Sequence, residues 1–220
     1  MNKEKINNGK YIVIEGPDGA GKSKAIEFVK KGLASQGIEI VFTIEPGGTM
    51  VSDKIRAILQ DRENRGMSVM TDLLLYSASR ADSIEKVVIP AIESGKSVIS
   101  DRNFCSTYAY QVYARGDRKN ESAFNTITKI ATYGIVPDMY ILLDVESEVA
   151  MERNRKDGNK NSRFDLEKLE FHRKVREGYH RFFNKCAKGK PHRIIDTTHL
   201  SEEEAGKLVF EHILNFLKTK

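Results

Sequence analysis

The chain has 220 residues, of which 40% are hydrophobic and 30% charged, the composition of a globular domain with a sizeable core. Its 36 basic and 31 acidic residues leave a net charge of +5, which favours anionic ligands but is too small to demand nucleic acid. No run approaches the ~18 apolar residues of a membrane helix. The opening "MNKEKINNGK" has no signal-peptide core, and Cys105 and Cys186 supply neither a disulfide framework nor metal-ligand spacing. A cytoplasmic protein with reduced thiols is expected, with no membrane or nucleic-acid partner.

Short β-branched runs alternate with longer helical patterns. In chain order, strands are predicted at 11–15, 39–43, 97–100, 139–143 and 193–195. Helices are predicted at 22–36, 50–61, 70–94, 105–116, 121–134, 147–156, 166–187 and 201–218. The strands are continuously apolar, as in parallel strands buried on both faces. Helical crossovers between them predict a three-layer α/β domain spanning residues 1–220. Gly37 can end the first helix, and Pro90 is expected to interrupt the long central one. Ser201 and Glu204 form a capping box for the last helix. The stretch "RNRKDGNKNSR", 153–163, is too polar to pack and is expected to be mobile.

The segment Gly16-Pro17-Asp18-Gly19-Ala20-Gly21-Lys22-Ser23 follows the first strand and opens the first helix. G-x-x-x-x-G-K-[ST] in that setting is a phosphate-binding P-loop. Its glycines let successive backbone N–H groups ring an anion, and the helix adds its positive end. Lys22 brings a charge to the β- and γ-phosphates, and Ser23 offers a hydroxyl to Mg²⁺, so Mg²⁺-ATP or GTP is the implied ligand. The third strand ends in "SVISDR". Asp101 there lies beside the P-loop in a parallel sheet and can hold Mg²⁺, while Arg102 can clamp a phosphate bidentately. The basic stretch with Arg153, Arg155, Lys156, Lys160 and Arg163 is a candidate lid, about 153–165, that covers a triphosphate and neutralises developing charge.

In order along nearly the whole chain, "IEGPDGAGKS", "EPGGT" with "DKIRAIL", "LLLYSASR", "IPAIESGKSVISDR", "STYAYQ", "VPDMYILLDV" and "LEFHRKVREGYHRFF" resemble thymidylate kinases. The resemblance implies a P-loop NTPase fold with a five-stranded parallel sheet, usually in a homodimer, and transfer of the ATP γ-phosphoryl group to dTMP. The helices 70–94 and 121–134 are apolar enough to permit the dimer. The resemblance assigns Asp18 to the acceptor's sugar 3′-hydroxyl and phosphate region, Tyr76 to stacking on thymine and Arg80 to the thymine carbonyl. It places Thr107 and Gln111 on the base edge, Tyr110 against the deoxyribose, and Arg102 and Arg56 on the acceptor side. Spacings of four residues put Tyr76 with Arg80, and Thr107 with Gln111, on common helical faces.

Gly19 stands where some members carry a catalytic arginine inside the P-loop. Members of the glycine type draw that arginine from the lid, where Arg153, Arg155 and Arg163 fit the role and Arg153 and Arg163 are favoured. Four positions depart from the family pattern. Ile44 replaces an arginine and Asn103 a tyrosine. Ser162-Arg163 with Asp165 replaces an acidic-Arg pair followed by glutamate, and Lys24 follows Ser23 where a second hydroxyl is usual. The first two bear on acceptor affinity and identity. The alternatives are another (deoxy)nucleoside monophosphate kinase, a non-catalytic P-loop switch, and a nucleic-acid-binding ATPase. A switch needs no acceptor pocket, and the ATPase predicts steeply salt-dependent DNA binding.

Overall fold

The computed structural model describes residues 9–116, 118–156, 163–185 and 189–219, with only the backbone of Asp165. Lys160, Ser162 and Cys186 therefore lie outside the described residues, as does much of the expected lid. Five parallel strands form the sheet: β1 Tyr11–Glu15, β2 Ile40–Ile44, β3 Ser97–Asp101, β4 Met139–Asp144 and β5 His192–Asp196. Their spatial order is β2-β3-β1-β4-β5. The register sets Ile14 opposite both Asp101 of β3 and Ile141 of β4, so the carboxyl ends of the three central strands lie level.

Alternation along β1 divides the core in two. Tyr11 and Val13 join Val98, Tyr140 and Leu142 on one face. Ile12 and Ile14 join Ile99, Ile141 and Leu143 on the other. The first face is covered by α3 Val69–Ser83, α6 Glu121–Ala131 and α8 Leu169–Lys185, the second by α1 Lys22–Ser35 and α9 Glu202–Lys218. Both faces of the sheet are thus sealed by helices, as continuous apolar strands require. Among the described residues no helix is long and apolar enough to cross a membrane.

Local chemistry sets several boundaries. Gly37 adopts φ 70° and donates to Ala34 O, closing α1. Ser201 and Glu204 form the reciprocal box that starts α9. The long helix expected over 70–94, interrupted at Pro90, is broken just before that proline and then resumes. After α3 comes a π-turn, Ile84–Val88, and then α4, Ile89–Glu93. In an α-helix the Pro90 ring would strike the carbonyl four residues back. The wider turn, with Ile89 N–H bonded to Ile84 O, carries the chain past that point. A second π segment, Tyr108–Ala114, follows the short helix α5 Phe104–Thr107, where an unbroken α-helix over 105–116 was expected. The remaining helices are α2 Met50–Gln60 and α7 Ser147–Lys156, and short 3₁₀ turns occupy Arg62–Gly66 and Arg163–Leu166.

Gly178 of α8 faces the second π segment without clearance. A β-carbon there would lie 2.9 Å from Ala109 Cα and 3.0 Å from Tyr113 Cβ. Gly178→Ala should therefore cost about 1–3 kcal/mol by overpacking. A urea titration reads this as a lower midpoint at constant slope, and an unchanged midpoint refutes the contact.

Candidate active site

The P-loop crosses the level carboxyl ends of β1, β3 and β4. Gly16, Gly19 and Gly21 all have positive φ. At Gly19 (φ 82°) a β-carbon would also fall 2.4 Å from Ala150 O, so neither the turn nor the packing admits a side chain. Lys22 is buried and curls back on its own loop, donating to Gly16 O at 2.9 Å and Pro17 O at 2.8 Å. Burial, with Arg102 nearby, lowers its ammonium to about 8 against the opposing pull of Asp18, Asp101 and Glu15. Ser23 is exposed towards the cleft. Lys24 points away from the loop, 3.6 Å from Glu202 at the start of α9.

Arg102 is the hub of the site. Its backbone is left-handed (φ 70°), uncommon for a side chain of this size. That conformation is held on both sides: its N–H donates to Ile14 O at 2.9 Å and its carbonyl accepts from Ser100 Oγ at 2.8 Å. The guanidinium ion-pairs with Asp18 through Nη2. Its Nη1 sits among Gly16 O (2.8 Å), Ser106 Oγ (2.9 Å) and the Tyr179 hydroxyl (2.9 Å). The Tyr110 hydroxyl donates to Asp18 Oδ2 at 3.1 Å. Burial raises the Asp18 carboxyl, but Arg102 and Lys22 outweigh it and hold the group below the usual carboxylate range. A carboxylate inside an anion-binding loop thus serves to fasten the arginine and the tyrosine beside it.

One cleft of about 760 Å³ joins this loop to a second pocket. Asp18, Arg56, Tyr76, Arg80, Arg102, Thr107, Tyr110 and Gln111 all line it, as do Lys22, Ser23, Asp101 and Arg153. Tyr76 and Arg80 stand one turn apart on α3. Arg80 is only 1% exposed; its Nε donates to Glu45 Oε2 at 2.8 Å and its Nη2 to Thr107 Oγ1 at 2.8 Å. Arg80 Nη1 and Gln111 Nε2 are buried without a hydrogen-bond partner among the described residues. Both residues line the pocket, and buried donors left unpaired are costly unless a ligand or water completes them. Arg56 lines the same pocket and donates to Pro46 O at 2.6 Å. Of the departures noted in the sequence, Ile44 contributes an apolar wall, and Asn103 caps α5 by accepting from Cys105 N–H at 3.3 Å.

Arg153 lies in the last turn of α7, with Nη2 bonded to Thr197 O (2.8 Å) and Thr198 O (3.2 Å), while Nη1 reaches Gly19 O at 3.5 Å. The turn after β5 and the loop are thereby joined over the cleft. Arg163 does not enter the cleft. Its side chain is 2% exposed and turned into the fold, where it pairs with Asp72 and donates to Leu59 O at 2.7 Å. It does not take the lid position expected of it, because its guanidinium is engaged by buried acceptors.

Sequence reasoning missed the layer beneath Arg102. Glu15 accepts from the Asn103 N–H (2.8 Å) and Ser106 Oγ (2.6 Å) and lies 3.2 Å from the Tyr179 hydroxyl. A carboxylate ending a buried strand was the visible signal for Glu15. Nothing local marks Ser106 or Tyr179. Asp101 Oδ1 is buried and unpartnered among the described residues, and with the Ser23 hydroxyl it forms the pair expected to hold Mg²⁺. Among the described residues no cluster of three or more His, Cys, Asp or Glu could hold a metal alone.

A parallel sheet with a phosphate loop at its carboxyl edge, opening on a second polar and aromatic pocket, defines a P-loop nucleotide-binding protein with room for two ligands. Residues 14–206 match the thymidylate kinase family. The thymidylate kinase of Clostridium novyi (strain NT) is 40% identical over 214 residues, 97% of this chain and 100% of that protein. Those of Thermoanaerobacter sp. (strain X514) and Caldanaerobacter subterraneus subsp. tengcongensis are 45% identical over 171 residues and 39% over 211, covering 78% and 96% of this chain and 82% and 97% of theirs. The chain belongs to the thymidylate kinase family.

The lowered Lys22 gives a signed pH dependence. Phosphate favours the ammonium, which the free protein loses as pH rises through about 8. The ATP dissociation constant should rise between pH 7 and 9.5, by up to about ten-fold per pH unit, with proton uptake on binding. Lys22→Arg should remove the inflection. Calorimetry in buffers of different ionisation heat checks both, and equal affinity at the two pH values refutes the assignment.

Proposed function

We propose that this protein transfers the γ-phosphoryl group of Mg²⁺-ATP to the 5′-phosphate of dTMP, giving dTDP and ADP, with all 220 residues as one catalytic domain. One observation carries the reading. The P-loop and the pocket of Tyr76, Arg80, Thr107, Tyr110 and Gln111 open into the same cleft, with Arg102 between them. The names of the relatives point to the same acceptor.

The acceptor oxygen is already anionic at neutral pH, so no general base is required. Catalysis is positioning and charge neutralisation. The P-loop N–H groups and Lys22 hold the β- and γ-phosphates, and Lys22 exchanges its two loop carbonyls for phosphate oxygens. Ser23 and Asp101 would hold Mg²⁺, which when bound would supply positive charge to offset that of the phosphates. Arg153 covers the donor beside the Thr197–Thr198 turn, where the adenine is expected. Arg102, oriented by Asp18, grips the acceptor phosphate, and Arg56 supports the acceptor side. Tyr76 stacks on the base, Arg80 Nη1 and Gln111 Nε2 complete their hydrogen bonds on its edge beside Thr107, and Tyr110 crowds the position of a 2′-hydroxyl. A non-catalytic switch would leave this pocket and its unpaired donors without purpose.

Two copies are proposed to form a homodimer through α2, α3 and α6. Ile58, Leu74 and Ile130 there are large, apolar and exposed. The cytoplasm is the proposed compartment.

A panel of dTMP, dUMP, dCMP, dGMP and thymidine with Mg²⁺-ATP tests the acceptor. We expect dTMP to lead and dUMP to follow with kcat/KM lower by no more than about 200-fold, since one methyl is worth roughly 1–3 kcal/mol. Arg80→Ala should lower kcat/KM for dTMP by 10²-fold or more, on the order of a lost charged hydrogen bond and an orphaned Glu45. Preference for another monophosphate overturns the acceptor assignment.

A further inference from the structure

Asp72 lies on α3 one helical turn before Tyr76 and two before Arg80, fully buried. Its Oδ1 accepts from Arg163 Nη2 and its Oδ2 from Arg115 Nη1. Both arginines also hold backbone carbonyls: Arg163 Nε donates to Leu59 O at 2.7 Å, and Arg115 Nη2 to Met67 O at 2.8 Å. The end of α2, the segment before α3 and the end of the second π segment therefore meet on one carboxylate. The Arg163 guanidinium lies 4.7 Å from the ring centroid of Phe164. Phe164 lines the cleft, 5.4 Å from the Tyr110 ring and stacked on Phe171. A buried ion cluster of this kind is weak evidence for stability, and fixing geometry is its better-attested use. What this one fixes is two walls of the second pocket: the face of α3 that carries Tyr76, and the ring of Phe164 against Tyr110. None of its three charged side chains lines the cleft.

We infer that the Asp72–Arg163–Arg115 cluster positions the acceptor pocket, and that Arg163 acts on acceptor binding through Asp72 and Phe164 instead of on the transferring phosphoryl group. The inference rests on the two-pocket reading above and assigns Arg163, Asp72, Arg115 and Phe164 a role in that site. Arg163 is a positioning residue.

The test uses the full chain, with kinetics varying each substrate in turn and calorimetry of dTMP binding without ATP. Arg163→Met should raise the dTMP Kd and KM by about ten-fold or more, with kcat changed less than about three-fold and the ATP KM unchanged. Arg163→Lys, which keeps the charge, should recover part of the loss. Arg163→Met combined with Asp72→Asn should bind dTMP no more weakly than the worse single variant, because Asp72→Asn weakens the Arg163 link together with that to Arg115. Loss of kcat by about a hundred-fold at unchanged dTMP Kd would return Arg163 to the transition state, and unchanged values throughout would leave the cluster without effect on the pocket. Multiplying losses in the double variant also overturn the link. If Arg163→Met does not fold, Arg163→Lys carries the same split: a weaker dTMP Kd at constant kcat supports the inference, and the reverse sinks it. If the wild-type protein prefers another monophosphate, the proposed function fails, and the cluster is judged on variant-to-wild-type ratios with that acceptor.

Discussion

The ion pair between Asp18 and Arg102 is the constraint on which the site depends. It joins the P-loop to the end of β3, and both residues line the cleft. Left alone, a guanidinium beside Lys22 would be repelled and would swing away. Asp18 counters that repulsion, and the left-handed backbone at Arg102, bonded on both sides to Ile14 and Ser100, removes the freedom to swing. Glu15, Ser106 and Tyr179 then pack beneath, so that the cation has acceptors on every side but the one facing the cleft. Preorganised charge of this sort costs little reorganisation when a ligand arrives.

The same economy governs the acceptor side. Arg80 is buried almost completely, which is tolerable only because Glu45 neutralises it and Thr107 takes a second donor. Its remaining donor is aligned by the two that are bound. The pocket therefore reads a ligand through groups whose orientation was settled during folding. Position and charge are the only catalytic resources a phosphoryl transfer of this kind requires.

Much of this was legible in the sequence, for reasons that differ by residue. The P-loop was readable because its chemistry is local: strand, glycines, lysine and hydroxyl are consecutive. The central strands β1, β3 and β4 were readable because burial on both faces leaves apolar runs, whereas β2 and β5 at the edges are only partly buried; the observed limits differ from expectation by a residue. Tyr179 and Ser106 were invisible because tertiary packing alone brings α8 and α5 under Arg102. Arg163 misled for a related reason. In a polar stretch it reads as a lid cation within reach of a triphosphate, yet its partner Asp72 lies 91 positions away and holds it inside the fold. The π segments escaped because a single-residue widening leaves the apolar spacing nearly that of an α-helix. The family resemblance, not spacing, supplied the acceptor-side roles of Tyr76, Tyr110 and Gln111.

Lys22 bonded to two carbonyls of its own loop has a thermodynamic consequence. The ammonium ties the Gly16 and Pro17 carbonyls together from inside the ring, contacts that the loop makes with itself. Association is then an exchange of one set of oxygens for another, not a disorder-to-order transition. Its heat-capacity change should reflect the apolar area of the adenosine alone, without the large negative contribution that accompanies coupled folding.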